Sequence, residues 1–107
     1  MKTDSRRFIP ALIEFAEGEG RETCWGRLLE LAADGGRLIA RARIERGDRL
    51  ALSFDLPGEQ VGGLPALVRG ARRDPDGYVV AELRFPEGQA RLLLGRALLR
   101  IATASGG

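Results

Sequence analysis

The clearest pattern along the chain is the alternation of apolar and polar residues in "RLALSFDLPG", residues 49–58. Its three leucines and Phe54 occupy the even-numbered positions, and charged or small residues occupy the odd-numbered ones. Because successive side chains of a β-strand point to opposite faces, this spacing predicts a half-buried strand. The stretch "YVVAELRF", residues 78–85, has the same period and predicts a second such strand.

Four further segments have the composition of strands, and turn sequences separate them. The turns "EGEG" and "ERGD" combine glycine with charged residues, and "DPDG" predicts a tight turn between two strands of a hairpin. The remaining predicted strands are residues 9–16, 23–32, 37–42 and 64–72, with a loop over 57–63.

After Phe85 the apolar period changes from that of a strand to that of a helix. The dipeptide "PE" that follows is typical of a helix start. Six short strands and one final helix predict a single, mainly β domain, a six-stranded antiparallel barrel. The expected segments are a domain over 1–107, a flexible N-terminal arm over 1–8, a C-terminal helix over 86–102 and a frayed tail over 103–107.

The composition is that of an ordinary globular protein, with 44% hydrophobic and 30% charged residues. Histidine is absent and Cys24 is the single cysteine, which excludes Cys/His zinc sites and histidine-dependent catalysis. We therefore expect a protein that is not an enzyme and has no cofactor.

The sequence shows neither a signal peptide nor a membrane-spanning stretch, so the expected location is the cytoplasm. Cys24 and Trp25 are expected in the core.

The order of several segments resembles the PilZ domain family over nearly the whole chain. Arginines precede the first strand, and "GRLLELAADGGRL", "GDRLALSFDLPG" and "GYVVAELRF" follow in that order before the helix. The resemblance implies a six-stranded barrel of bacterial signalling, a family in which many members bind cyclic di-GMP. Their ligand motifs are an Arg-x-x-x-Arg pair before the first strand and an Asp/Asn-x-Ser-x-x-Gly loop between the second and third strands.

This chain retains only part of those two motifs. The first arginine of the pair corresponds to Arg6, but the second position is Pro10, which leaves Arg7 as a neighbouring substitute. In the loop motif, Glu30 replaces Asp or Asn, Ala32 removes the serine hydroxyl, and the glycine persists. The resemblance therefore implies weak or absent cyclic di-GMP binding. Residues that would form a variant site are Arg6, Arg7, Glu30, Asp34, Gly35 and Arg37.

Three functions remain open from the sequence. The first is an adaptor that contacts a protein of a motility, pilus or secretion system, or a second copy of itself, through a surface containing Phe8, Leu92, Leu94 and Leu99. An alternative hypothesis of about equal weight is that the helix leucines cover the open end of the barrel. The second is a cyclic di-GMP receptor with the variant site.

The third function, nucleic-acid binding, is the least favoured. Two groups of arginines would form a basic stripe, since those at 69, 72 and 73 cluster near one predicted hairpin and those at 37, 41 and 43 share a strand face. Such a surface also needs exposed aromatic residues for base stacking, and only Trp25 and Tyr78 are candidates.

Overall fold

The computed structural model describes residues 8–16 and 21–105 of the chain. Within them lie six β-strands and one α-helix, which confirms the predicted barrel with a C-terminal helix. Apart from Phe8, the predicted arm lies outside the described residues. The elements are β1 (Ile9–Phe15), β2 (Cys24–Ala32), β3 (Gly35–Ala40), β4 (Arg49–Leu56), β5 (Glu59–Arg73), β6 (Val79–Arg84) and α1 (Gln89–Ser105).

The strands form a closed antiparallel barrel in the order β1-β2-β3-β6-β5-β4. β1 closes it by pairing with β2 on one side and with β4 on the other. Closure pairs the strands that would otherwise be the two edges of an open sheet. Edge strands recruit other chains, so closure also protects the domain against aggregation.

Every second strand residue fills the barrel interior. The apolar face of β4 is at most 7% exposed, as its alternation predicts, and Phe85 just after β6 is completely buried. One end of the barrel is covered by α1, which inserts Leu94 and Ala97 into the core. Among the described residues, the core contains no polar or charged side chain. The charged chemistry of the protein is therefore confined to its surface.

β5 begins at Glu59, so the loop predicted over 57–63 is wrong. The turn between β4 and β5 is formed by Pro57 and Gly58, because Leu56 already pairs with Glu59. The glycine-rich stretch that resembles a loop is a strand containing a bulge. At this bulge, the Gly63 N–H donates to Ser53 Oγ at 3.0 Å and Gly63 has a φ of +65°.

The helix starts and ends three residues later than the 86–102 predicted, and it includes part of the predicted tail. The Phe85 N–H donates to the Asp34 carbonyl at 2.8 Å, which continues the strand geometry beyond β6 and delays the first helical turn. The first helical hydrogen bond joins the Leu92 N–H to the Gly88 carbonyl at 3.1 Å. No helix among the described residues has the length and hydropathy required to cross a bilayer.

Trp25 is 66% exposed, so the expectation that it lies in the core is wrong. It pairs with Leu12 of β1 and lies between the inward positions Cys24 and Gly26. Because successive side chains of a strand point to opposite faces, the indole points outward. Cys24 faces the core but is only partly buried.

The connection that leads into β4 is fixed by a two-point ion pair between Arg21 and Asp48. The guanidinium donates to the two carboxylate oxygens at 2.6 and 3.2 Å, and the Glu45 N–H donates to Asp48 Oδ2 at 2.8 Å. Burial raises the pKa of Asp48, but the hydrogen bonds from Arg21 and Glu45 and the charges of Arg21 and Arg43 outweigh it. The pKa therefore lies below its usual value.

We expect Gly35→Ala to destabilise the barrel by about 1–3 kcal/mol. A Cβ at Gly35 would lie 2.3 Å from the Leu83 carbonyl oxygen, a backbone atom that cannot rotate away. Gly62→Ala is the matched control, since a Cβ there meets nothing within 4 Å. Chemical denaturation measures both variants, and equal stabilities would contradict the steric argument.

We expect Asp48→Asn to lower the free energy of unfolding by about 1.5–3 kcal/mol at pH 7. A carboxyl group with a lowered folded-state pKa stabilises the fold above its unfolded pKa, and this contribution is lost as pH falls through the folded pKa. The difference between wild type and variant should therefore shrink as the pH falls from about 5 toward 2. Urea unfolding across this range measures it.

Asp55→Asn is the control for this pH dependence. Asp55 is exposed on β4 and has no ion pair with a described residue. A stability loss for Asp48→Asn that is the same at both ends of the pH range would show that the charge of Asp48 is irrelevant.

Candidate functional site

The β2–β3 hairpin forms one wall of an open groove with a volume of about 830 Å³. Four of the six residues predicted for a ligand site line it, and the other two, Arg6 and Arg7, lie outside the described residues. The four that the structure brings together are Glu30, Asp34, Gly35 and Arg37.

Arg37 occupies the centre of a row of charged side chains across three strands. In the barrel register it pairs with Glu30 on β2 and with Glu82 on β6. Its guanidinium nitrogens lie 3.4 Å from a Glu30 carboxylate oxygen and 3.5 Å from one of Glu82. Both carboxylates partly neutralise this cation, which weakens its attraction for an anionic ligand.

Gly35 and Gly36 have a different role from the one the sequence suggests. Two consecutive glycines favour a turn, but both belong to β3 and neither has a positive φ. The turn itself consists of Ala33 and Asp34. A Cβ would lie 2.3 Å from the Leu83 carbonyl oxygen at Gly35 and 2.5 Å from the Glu30 carbonyl oxygen at Gly36. Both glycines therefore permit close backbone approach within the barrel.

Asp34 contributes its main chain to the fold and leaves its side chain exposed. The carbonyl accepts the hydrogen bond from the Phe85 N–H, which joins the hairpin to the end of β6. Its carboxylate has no hydrogen bond or ion pair with any described residue. The acidic group at the mouth of the groove is therefore available to a ligand donor.

Three arginines complete the groove, and sequence reasoning did not assign them to it. Arg69 comes from β5, Arg84 from β6 and Arg91 from α1. The Arg91 guanidinium donates to the Phe85 carbonyl at 3.3 Å, which holds it at the edge of the groove. The sequence does not reveal the order of the strands in the sheet. Arg84 pairs with Gly35 because β6 lies beside β3. With Arg37, four arginines face three carboxylates, so the groove has a small positive excess.

The two arginine groups predicted as a basic stripe are divided among separate places. β3 ends at Ala40, so Arg37 lies on the strand whereas Arg41 and Arg43 follow it. Arg43 pairs with Glu45 at 3.6 Å, and Arg41 lies beside the ring of Tyr78. Arg69 and Arg73 line different grooves. The continuous stripe that nucleic-acid binding requires is not formed by these residues.

The leucines of α1 divide between two faces. Leu94 is 1% exposed and packs in the barrel, so it is not part of an interaction surface on this molecule. Leu92, Leu93 and Leu99 are 61%, 51% and 68% exposed, respectively. The leucines therefore do not all cover the barrel end. Phe8, the fourth residue of the predicted partner surface, lies in a different groove, beside Trp25.

Neither metal binding nor thiol chemistry is supported by the described residues. They contain no cluster of three or more His, Cys, Asp or Glu side chains that could hold a metal ion. Burial raises the pKa of Cys24, which favours the protonated thiol over the nucleophilic thiolate.

No protein-family model matches the sequence, and no curated protein matches it. Among solved structures, the chain is similar to the crystal structure of the PilZ domain of CeSA from a cellulose-synthesizing bacterium. The TM-score is 0.56, the match covers 94% of each chain, and 18% of the residues are identical. At this level of identity the similarity concerns the backbone architecture. The closed six-stranded barrel with its C-terminal helix is therefore a PilZ-like fold.

Proposed function

We propose that this protein is a non-catalytic PilZ-like signalling module of the bacterial cytoplasm that binds cyclic di-GMP weakly or not at all and acts as an adaptor between proteins. The observation that carries the proposal is the set of side chains in and near the groove beside the β2–β3 hairpin. At the positions of the ligand motifs of the PilZ family, Pro10, Glu30 and Ala32 replace the expected residues, and the Glu30 carboxylate lies 3.4 Å from Arg37.

Two of the replaced positions have lost the ability to donate a hydrogen bond. Pro10 is exposed on β1 and has no donor in its side chain. Ala32 is exposed at the end of β2, where the family motif has serine. Each position is accessible, so the loss concerns side-chain chemistry and not burial.

The expected loss of affinity follows from these contacts. A missing charge-assisted contact removes about 1.5–3 kcal/mol and a missing hydroxyl hydrogen bond about 1 kcal/mol. Together they weaken Kd by roughly two to three decades. The pairing of Glu30 with Arg37 adds to this loss, because the carboxylate partly neutralises the guanidinium that would bind a phosphate.

An adaptor role is supported by the exposed face of α1. The helix sequence "QARLLLGRALLRIATAS" contains three arginines and no carboxylate, and three of its leucines are exposed. Isolated exposed leucines are ordinary, but several on one short helix are typical of an interaction surface. A partner from a motility, pilus or secretion system, or a second copy of the chain, would cover this face.

A cyclic di-GMP receptor with a variant site is the second candidate. The four arginines of the groove favour it, because guanidinium groups bind phosphates and the O6/N7 edge of guanine. A titration with cyclic di-GMP distinguishes the two candidates, because the second one requires saturable binding.

We expect calorimetric titration with cyclic di-GMP at high micromolar concentration to show no saturable binding by the wild-type protein. A PilZ domain with both motifs intact is the positive control. The double variant Pro10→Arg, Ala32→Ser restores two missing donors at exposed positions and should gain measurable binding. Low-micromolar binding by the wild type would overturn the proposal and establish the variant site.

We expect a photo-crosslinking residue at position 92 or 99 to form a specific protein adduct in the native cells. The same residue at Gln60, which is exposed on β5, is the control. Leu99→Ser should abolish the adduct formed at position 92, and Leu92→Ser the adduct formed at position 99, with little loss of stability because both side chains are exposed. Mass spectrometry then distinguishes a second copy of this chain from another protein. Equal crosslinking at position 60 would contradict a partner-specific face.

A further inference from the structure

A second groove, with a volume of about 560 Å³, lies on the outer wall of the barrel and combines aromatic rings with arginines. Trp25 is 66% exposed and Tyr78 is 39% exposed, which is unusual for the largest aromatic side chains of a small domain. We call this surface the tryptophan groove. Its principal side chains are Phe8, Trp25, Arg27, Ile39, Arg41 and Tyr78.

The tryptophan groove lies toward the end of the barrel opposite α1. Trp25 is near the start of β2, Arg41 follows the end of β3, and Tyr78 precedes β6. Because these strands are antiparallel, all three positions lie at the same end. The helix lies at the other end, where the Cβ of Ala33 is 3.7 Å from the position a Cβ would take on Gly95. The two surfaces can therefore contact different molecules.

The backbone fixes the direction of the groove side chains. Trp25 pairs with Leu12, and Arg27 pairs with Pro10 on one side and Ile39 on the other. Trp25 and Arg27 therefore lie on the same outer face of the sheet, separated by the buried Gly26.

Tyr78 is held by the turn that precedes it. Asp74 Oδ1 accepts hydrogen bonds from the N–H groups of Asp76 at 2.9 Å and Tyr78 at 3.0 Å. The Asp74 N–H donates to the Tyr78 carbonyl at 2.8 Å, and Gly77 supplies the positive φ of the turn. Arg41 lies with its Cζ 5.5 Å from the centre of the Tyr78 ring. A ligand therefore meets a pre-organised ring, which lowers the entropy cost of binding.

The described residues do not compensate the positive charge of the groove. Among them, no carboxylate lies within ion-pair distance of Arg27 or Arg41, whereas Arg37 has two such carboxylates and Arg43 and Arg100 have one each. Guanidinium groups beside exposed rings attract carboxylates or phosphates. The occupant of the groove must therefore be anionic as well as apolar.

The floor of the groove favours a protein over a nucleic acid. Leu29 and Ile39 are half-buried aliphatic side chains that line the groove, and they match an apolar side chain better than a sugar–phosphate backbone. Tryptophan, tyrosine and arginine are the residues that dominate binding energy at protein interfaces. We propose that the tryptophan groove binds a protein segment in which a carboxylate lies beside a large apolar side chain. This groove shares no lining residue with the groove beside the β2–β3 hairpin and contains no residue of α1.

Selection of random peptides displayed on phage tests this proposal on the full-length protein. Peptides retained by the wild type are counter-selected against Trp25→Ala, synthesised with a fluorescent label and titrated by anisotropy. The retained sequences should combine Asp or Glu with Trp, Phe or Leu. Arg41→Ala, which has no part in the selection, should weaken their binding about tenfold or more. Higher salt should weaken it further, since the carboxylate contact is partly screened.

Two matched variants control for nonspecific effects. Arg46→Ala removes an exposed arginine, and Leu92→Ala removes an exposed apolar side chain on α1. Neither should change peptide affinity, and circular dichroism should show that all four variants remain folded. The proposal is overturned if no peptide survives counter-selection, if the retained peptides lack carboxylates, or if their binding is insensitive to Arg41→Ala. It is also overturned if the wild type binds oligothymidylate through Trp25 and retains no peptide.

Discussion

The pairing of β1 with β4 is the constraint on which the rest of the structure depends. It places Ala11 opposite Phe54 and Ile13 opposite Leu52, and all four side chains are buried. Once the sheet closes, inward and outward side chains alternate along the strands, except where a bulge shifts the register. Because the described core contains only apolar side chains, the polar chemistry is restricted to the outward positions of the strands, the turns and α1.

The same closure explains which parts of the fold were predictable from the sequence. β4 and β6 have one face in the core and one in solvent, so their period of two is visible in the residues themselves. The first residues of β5 were missed because Gly62 and Gly63 look like a loop, and the bulge that accommodates them depends on Ser53 of the neighbouring strand. Trp25 was misplaced for a related reason, since its hydrophobicity favours the core but strand parity directs it outward.

The candidate site was predictable only where it is local in sequence. Glu30, Asp34 and Arg37 lie within one hairpin, so the motif brings them together without knowledge of the fold. Arg69 and Arg91 join them through strand order and helix packing, which are nonlocal. The charge of the groove could therefore not be obtained from the hairpin alone. The hairpin contains two carboxylates and one arginine among its groove residues, whereas the complete groove has a positive excess.

The persistence of Gly35 in an otherwise altered ligand motif follows from the barrel and does not by itself indicate a ligand. Any Cβ at that position would overlap the Leu83 carbonyl oxygen, so the fold requires glycine whether or not a nucleotide binds. Glu30 and Ala32 are exposed, and the fold imposes no comparable steric restriction on them. Glu30 and Ala32 thus depart from the loop motif at positions where only a ligand would constrain the residue type. Gly35 agrees with the motif at a position where the backbone of the barrel requires glycine.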